Sequence, residues 1–283
     1  MYIQSLHIYP LKSARSIDLI TADVTLRGLK YDRTMMLVDP EGRFITQREV
    51  PHLAAITVQV DENGVIFGAP NHGQIDIAWD QFSPDATTPV QVWKSSFNVS
   101  SAPTMADQWF TETLGCPARL VYQRDHQIRP TKQERAPGGI VSFADGYPFL
   151  VTLQSSLDDL NDKIARRGGA PVPMNRFRSN IVLAGTDPWA EDTIGAVQIN
   201  GINFQFVRPC TRCMITTQDQ ESGDKGGKDP LATLAKFRFD KQWEGVVFGE
   251  NAYTQTTGTI KVGDSAILTG HKANLNFEPS KLG

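Results

Sequence analysis

Short apolar runs cut off from one another by turn-forming residues recur along the first half of the chain, and they commit it to a β-rich fold. Residues 2–9 alternate apolar and polar side chains, the period of a half-buried strand, and stop at Pro10. Residues 22–26 repeat the pattern before a Gly28-Leu29 turn, and Arg33 leads into the apolar run 34–38. Asp39-Pro40-Glu41-Gly42 reads as a turn, because proline presets φ and glycine accepts a positive one. Residues 44–46 are then expected to pair back as a hairpin. Further strands are expected at 56–60, 65–67, 75–77 and 90–93, separated by Gly, Pro, Asn and Asp. Many short strands at this spacing predict a barrel or sandwich-like domain.

The period changes at 103–115, where Ala106, Trp109, Phe110, Thr113 and Leu114 share a helical face and Gly115 offers a stop. Residues 120–122 return as a strand. From Arg124 to Gly139 the chain is charged, contains Pro and Gly and is weakly patterned, which predicts a linker or mobile loop at a domain boundary. The second half opens on the apolar strand 149–153. Ser155 or Ser156, followed by Asp158 and Asp159, reads as a helix N-cap with first-turn acids. Leu157, Leu160 and Ile164 mark that helix's buried face, and Arg166-Arg167-Gly168 its end. Later elements are strands at 181–183, 197–207, 259–264 and 266–268, with a short helix from Asp229-Pro230 through Leu231, Leu234 and Phe237. The expected fold is mainly β (α+β): a barrel- or sandwich-like domain at 1–123, a linker or loop at 124–140, a second β-rich domain at 141–270 with a few peripheral helices, and a tail at 271–283.

A net charge of −3 and a pI near 6.0 give no global basic field, so neither a nucleic-acid polymer nor an anionic membrane is an expected partner. No apolar run reaches the ~18 residues of a membrane span, and the N-terminus has no basic and apolar leader pattern. Three cysteines, an odd number, argue against a disulfide framework and for a reducing, cytoplasmic compartment.

Two of those cysteines sit in Arg208-Pro209-Cys210-Thr211-Arg212-Cys213, directly after the alternating run 197–207. Pro209 cannot donate to a sheet ladder, so that strand should end or bulge there. Structural zinc needs four ligands, and Cys116 and the five histidines supply no suitable spacing. An all-cysteine iron–sulfur cluster needs four cysteines. A thioredoxin-like pair should open a helix, whereas the β-branched residues after Cys213 suit a strand. Two buried cysteines acting as small hydrophobes remain open, as does a thiolate stabilised by the flanking arginines for catalysis or metal ligation.

Lys12, Arg33, Arg48, Arg178 and Arg212 each lie at or near a strand end beside a turn. Convergence of such cations would suit a phosphate, whose oxygens guanidinium forks bind in pairs. The common nucleotide-binding loops and the Gly-x-Ser-x-Gly elbow are absent. Gly223-Asp224-Lys225-Gly226-Gly227-Lys228 reads as a flexible exposed loop rather than a phosphate cradle.

Five segments in order carry a resemblance: Tyr9-Pro10-Leu11-Lys12-Ser13, Tyr31-Asp32-Arg33, Phe177-Arg178-Ser179-Asn180-Ile181, Pro209-Cys210-Thr211-Arg212-Cys213 and Gly258-Thr259-Ile260-Lys261-Val262-Gly263-Asp264. Together they resemble the MOSC-domain proteins with an N-terminal β-barrel domain, a group that includes the amidoxime-reducing components. The resemblance covers roughly residues 1–270 and implies an N-terminal β-barrel-like domain at 1–123 and a MOSC β-barrel domain at 141–270. It implies a molybdenum cofactor, a pterin dithiolene carrying a phosphate, with Cys213 as metal ligand and catalytic residue and Cys210 as a neighbour. It implies cofactor contacts from Lys12, Ser13, Arg33, Ser155, Arg178, Asn180, Thr211, Arg212 and Asn251. Arg48 matches no family position and drops out of that set. The implied activity is reduction of N-hydroxylated compounds (hydroxylated bases, amidoximes, hydroxylamines) by oxygen transfer to cysteine-ligated molybdenum. With no cysteine after Cys213 to build a ferredoxin domain, electrons are expected from an external protein of flavin, ferredoxin or cytochrome type. The mitochondrial members' targeting and anchoring segment is not expected here. Alternatives are a sulfur-transfer protein with a Cys213 persulfide and a non-catalytic molybdopterin-binding module.

Overall fold

The computed structural model describes residues 1–283 apart from 86, 274, 276 and 278–283, so much of the tail expected at 271–283 lies outside the described residues. The fold is mainly β (α+β), with three α-helices among the described residues, at Thr104–Leu114, Gln154–Arg166 and Leu231–Leu234. The strands between residues 35 and 122 form two sheets. Thr57–Val60, Gly64–Ala69 and Gly73–Ala78 make an antiparallel meander, and Met35–Val38, Arg119–Tyr122, Ser95–Ser101 and Thr87–Val92 a four-stranded sheet. Residues 44–46 fold back through a Val38–Phe44 bridge, and the Ile45 N–H donates to the Leu37 carbonyl at 2.9 Å. No strand continues there, because the Glu49 carboxylate accepts from the Thr46 N–H at 3.1 Å and turns the chain. The Thr104–Leu114 helix buries Ala106 and Phe110, sets Phe110 edge-on to Phe67, and ends at Gly115 with φ of 68°.

The second half centres on a nine-stranded sheet. Its main path runs Ala266–His271, Ile194–Ile199, Ile202–Thr211, Gly245–Tyr253, Phe149–Leu153, Ile181–Ala184, Tyr2–Ile8, Ile17–Leu19. Phe149–Leu153 and Ile181–Ala184 are parallel, so Gln154–Arg166 serves as their crossover helix. The strand passes into that helix at Leu153 without a loop. Ser155 and Ser156 therefore lie inside the first turn and do not cap it. Ser156 instead donates to Glu191 at 2.8 Å.

The opening strand belongs to this sheet too. Tyr2–Ile8 pairs with Ile181–Ala184, and Thr21–Thr25 pairs with Gly258–Lys261. Ile3, Leu6, Ile8, Val24 and Leu29 share one core with Phe149, Val151, Phe204 and Ile260. Chain order thus crosses the boundary placed near 124, because alternation reports which face a strand buries and not which strand lies beside it. The 124–140 segment folds back through a Pro130–Ile140 bridge. Its Arg129 is buried and donates to the carbonyls of Ser142, Ala144 and Asp145 at 2.6 to 3.0 Å. Burial brings that guanidinium down to about 10.

Candidate functional site

The strand Ile202–Thr211 runs through Pro209 with register irregularities on both sides of it, the bulge that a proline in a ladder requires. Beyond the cysteine pair the expected strand does not form. Met214–Thr217 is a single 3-10 turn, in which the hydroxyls of Thr216 and Thr217 donate to the carbonyls of Cys213 and Met214 at 2.9 and 2.7 Å. Such local bonds compete with a sheet ladder, so β-branched composition misleads at this point. The turn leaves Cys213 half-buried at the mouth of a cleft.

The cleft brings together residues from both halves of the sequence. Its lining includes five cations, Lys12, Arg33, Arg48, Arg178 and Arg212, against one carboxylate, Asp145. Ser13, Asn180, Thr211, Asn251 and both cysteines of the pair also line it. Ser155 is the exception among the expected residues. Its hydroxyl is buried in the first turn of the crossover helix without a hydrogen-bond partner, away from the cleft lining.

Lys12, Arg33, Arg178 and Arg212 each donate to oxygens of the surrounding fold. Lys12 Nζ donates to the Phe143 carbonyl at 2.8 Å and to Asp145 at 2.5 Å. Burial lowers its pKa, while Asp145 opposes the shift. Burial also opposes ionisation of Asp145, yet Lys12 and Arg48 hold its carboxyl well below the usual range. Arg33 donates to Asp32 at 2.6 Å, to Asn180 Oδ1 at 3.2 Å and to the Arg178 carbonyl at 3.0 Å. Asn180 is itself fixed by accepting from the Leu150 N–H and donating to the His7 carbonyl. The guanidiniums of Arg33 and Arg178 both stack on Tyr9, at 4.5 and 4.2 Å from the ring centroid. Burial pushes the Tyr9 hydroxyl up to about 12, so the ring between the two cations stays neutral.

Two further contacts separate the cysteines. Arg212 donates to Cys210 Sγ at 2.8 Å and to the Phe177 carbonyl at 2.6 Å, whereas Arg48 Nη2 stands 3.5 Å from Cys213 Sγ. Arg48, which no motif retained, is thus the cation at the second thiol. It sits beside a buried glutamine cluster that ties the halves together. Gln47 donates to the Ser13 carbonyl and to Gln220, Gln218 donates to the Gln47 carbonyl, and Arg178 donates to Gln220. No periodicity or motif marks Gln47, Gln218 or Gln220.

The backbone carries a second signature. Among the described residues nine non-glycine positions have positive φ, and Ser13, Arg33 and Arg178 are three of them, at 72°, 48° and 56°. Bulky residues take this region only where the surrounding fold compels it, and such positions concentrate at functional sites. Arg178 Nη2 and Arg212 Nε are also buried without a hydrogen-bond partner. Buried donors in that state call for an acceptor. Among the described residues no group of three or more His, Cys, Asp or Glu side chains could hold a bare ion, so a metal at Cys213 would bring its other ligands with it.

Comparison with known proteins agrees in extent with this two-part site. Residues 1–117 match the MOSC N-terminal beta barrel domain, and residues 138–266 match the MOSC domain. The mouse (Mus musculus) mitochondrial amidoxime-reducing component 1 is 31% identical over 286 residues, covering 95% of this chain and 82% of that protein. The chain belongs to the MOSC-domain proteins. The human counterpart is 29% identical, with 95% of this chain and 83% of that protein covered. A rice (Oryza sativa subsp. japonica) molybdenum cofactor sulfurase is 28% identical, with 89% of this chain but 34% of that protein covered. Within this MOSC protein no helix among the described residues is long and apolar enough to cross a membrane. The MOSC half supplies the cysteine strand, and Lys12, Arg33 and Arg48 reach it from the first 50 residues.

Proposed function

We propose that this MOSC protein is a molybdenum-cofactor oxidoreductase that reduces N-hydroxylated compounds such as hydroxylated bases, amidoximes and hydroxylamines. The observation that carries the reading is a half-buried thiol beside Arg48, in a cleft where five cations face one carboxylate and two buried guanidinium donors lack acceptors. That donor set fits a polyanionic pterin with a phosphate and a soft metal, since guanidinium forks suit phosphate oxygens and a thiolate suits molybdenum. When bound, the cofactor supplies two-electron oxygen-atom acceptance from an N–OH group, and the substrate leaves as the amine or amidine.

Cys213 provides the protein's sulfur to the metal, and Arg48 beside it neutralises the thiolate charge. Lys12, Arg33, Arg178 and Arg212 grip the cofactor's anionic groups, with Ser13, Asn180, Thr211 and Asn251 as polar neighbours. Tyr9 offers its ring to both Arg33 and Arg178, and Asp32 is the counter-ion of Arg33, so that two like charges share one wall. Electrons come from a separate donor protein of flavin, ferredoxin or cytochrome type.

Metal analysis of protein purified from a molybdopterin-competent host tests the reading. Near-stoichiometric molybdenum is expected, lost in Cys213→Ser and kept in Cys210→Ser. Metal-free wild-type protein that transfers sulfur from a Cys213 persulfide would replace this reading with the sulfur-carrier one, which the rice sulfurase relative favours.

A further inference from the structure

Trp93 stands at the two-residue tip joining Thr87–Val92 to Ser95–Ser101, with φ of 55°. Glycine or asparagine enters that region easily, and a bulky aromatic does not. The side chain is 48% exposed, so core burial does not compensate for the strained backbone. Its surroundings point elsewhere. The indole meets Phe44 edge-on at 5.2 Å, and Phe44 lies beneath Lys12 Nζ. The side chain also reaches Asp145 in the cleft wall. The Arg48 guanidinium lies 5.4 Å from the indole centroid, and the same group reaches Cys213 Sγ at 3.5 Å. An exposed, strained aromatic surface is therefore one guanidinium away from the thiol.

We infer that Trp93 is a specificity-determining platform. It stacks the flat π system that carries a substrate's N–OH group, and Arg48 fixes the platform's distance from Cys213. The inference rests on the N-hydroxylate reading above and selects within it: compounds whose N-hydroxyl group is conjugated to an aromatic ring are favoured over those with only an alkyl substituent. Stacking is sequence-remote from the cysteine motif, which explains why no motif marks this tryptophan.

The test uses oxidised, cofactor-loaded protein without reductant, so that binding is read without turnover. Benzamidoxime and acetamidoxime are titrated calorimetrically into wild type, Trp93→Gly and Trp93→Phe, and thermal melts are recorded alongside. Glycine accepts the positive φ, so Trp93→Gly should melt no lower than wild type. It should lose about tenfold in benzamidoxime affinity, the scale of one aromatic stack, and less than about twofold for acetamidoxime. Trp93→Phe should recover most of the loss. Equal effects on both ligands, no effect on either, or a lowered melting temperature with unchanged binding would overturn the platform. Wild-type protein that binds neither amidoxime would remove the N-hydroxylate reading itself, and the platform with it.

Discussion

Replacing Arg178 with alanine distinguishes a phosphate grip from a merely enclosed cation. Arg178 Nη1 already donates to the Ala14 carbonyl at 2.9 Å and to Gln220 Oε1 at 3.1 Å, and the guanidinium face rests on Tyr9. Nη2 is buried without an acceptor. Burial lowers the group's pKa to about 10, so it is still charged at neutral pH and leaves a buried positive charge for an anion to complete. A charge-assisted hydrogen bond to that anion contributes about 1.5–3 kcal/mol, equivalent to roughly 10- to 150-fold in retention. The assay counts pterin per protein after purification from a molybdopterin-competent host, then titrates cofactor-free protein with phosphorylated and dephosphorylated pterin. Arg178→Ala should lose the phosphorylated form selectively. Wild-type pterin content, or an equal loss of both forms, would refute the assignment of Nη2 to phosphate.

Two other perturbations test the frame around the cleft. Glu250 is fully buried, its strand position opposite Pro209, and burial raises its carboxyl to about 8 against the pull of Lys272 at 2.7 Å, with Asp192 and Glu191 adding to the rise. The folded state then keeps a proton that the unfolded chain releases above about 4.5, so stability should fall as pH climbs from about 4.5 to 8. Glu250→Gln should flatten that part of the melting-temperature profile, and an unchanged slope would contradict the buried-acid account. Gly223, expected in a flexible exposed loop, is buried at φ of 83°, where a Cβ would stand 2.1 Å from the Pro51 carbonyl oxygen. Gly223→Ala should cost about 1–3 kcal/mol in urea unfolding through backbone displacement, and should loosen the neighbouring Gln220 contact to Arg178. Wild-type stability in that variant would mean the loop does not brace the cleft.

Much of the fold was legible because alternation and turn residues act locally. The strands at 35–38, 57–60, 64–69 and 87–92 and the helix ending at Gly115 follow from neighbours in the chain. Pairing partners did not follow in the same way. Tyr2–Ile8 satisfies its ladder with Ile181–Ala184, and nothing in its own alternation distinguishes that partner from a nearer strand. The same division runs through the site. Strand-end position singled out Lys12, Arg33, Arg178 and Arg212, and all four line the cleft. Arg48 shared that position but had no motif to support it. Its meeting with Cys213 spans 165 residues of sequence, so only folding reveals it.

The left-handed residues explain why the rest of the site was hidden. Glycine advertises a positive φ in the sequence, whereas Ser13, Arg33 and Arg178 give no such sign. A non-glycine residue in this region costs about 1–3 kcal/mol. If the fold needed only the backbone turn at these three positions, glycine would supply it with less strain. The side chains must therefore contribute something glycine lacks. At Arg33 and Arg178 that contribution is visible, because the twisted backbones bring two guanidiniums onto the same Tyr9 ring beside the cleft. The same reasoning bears on Trp93, whose indole is exposed beside that cleft: strain kept at the cleft's edge by a side chain outside the core marks a surface shaped to meet something else.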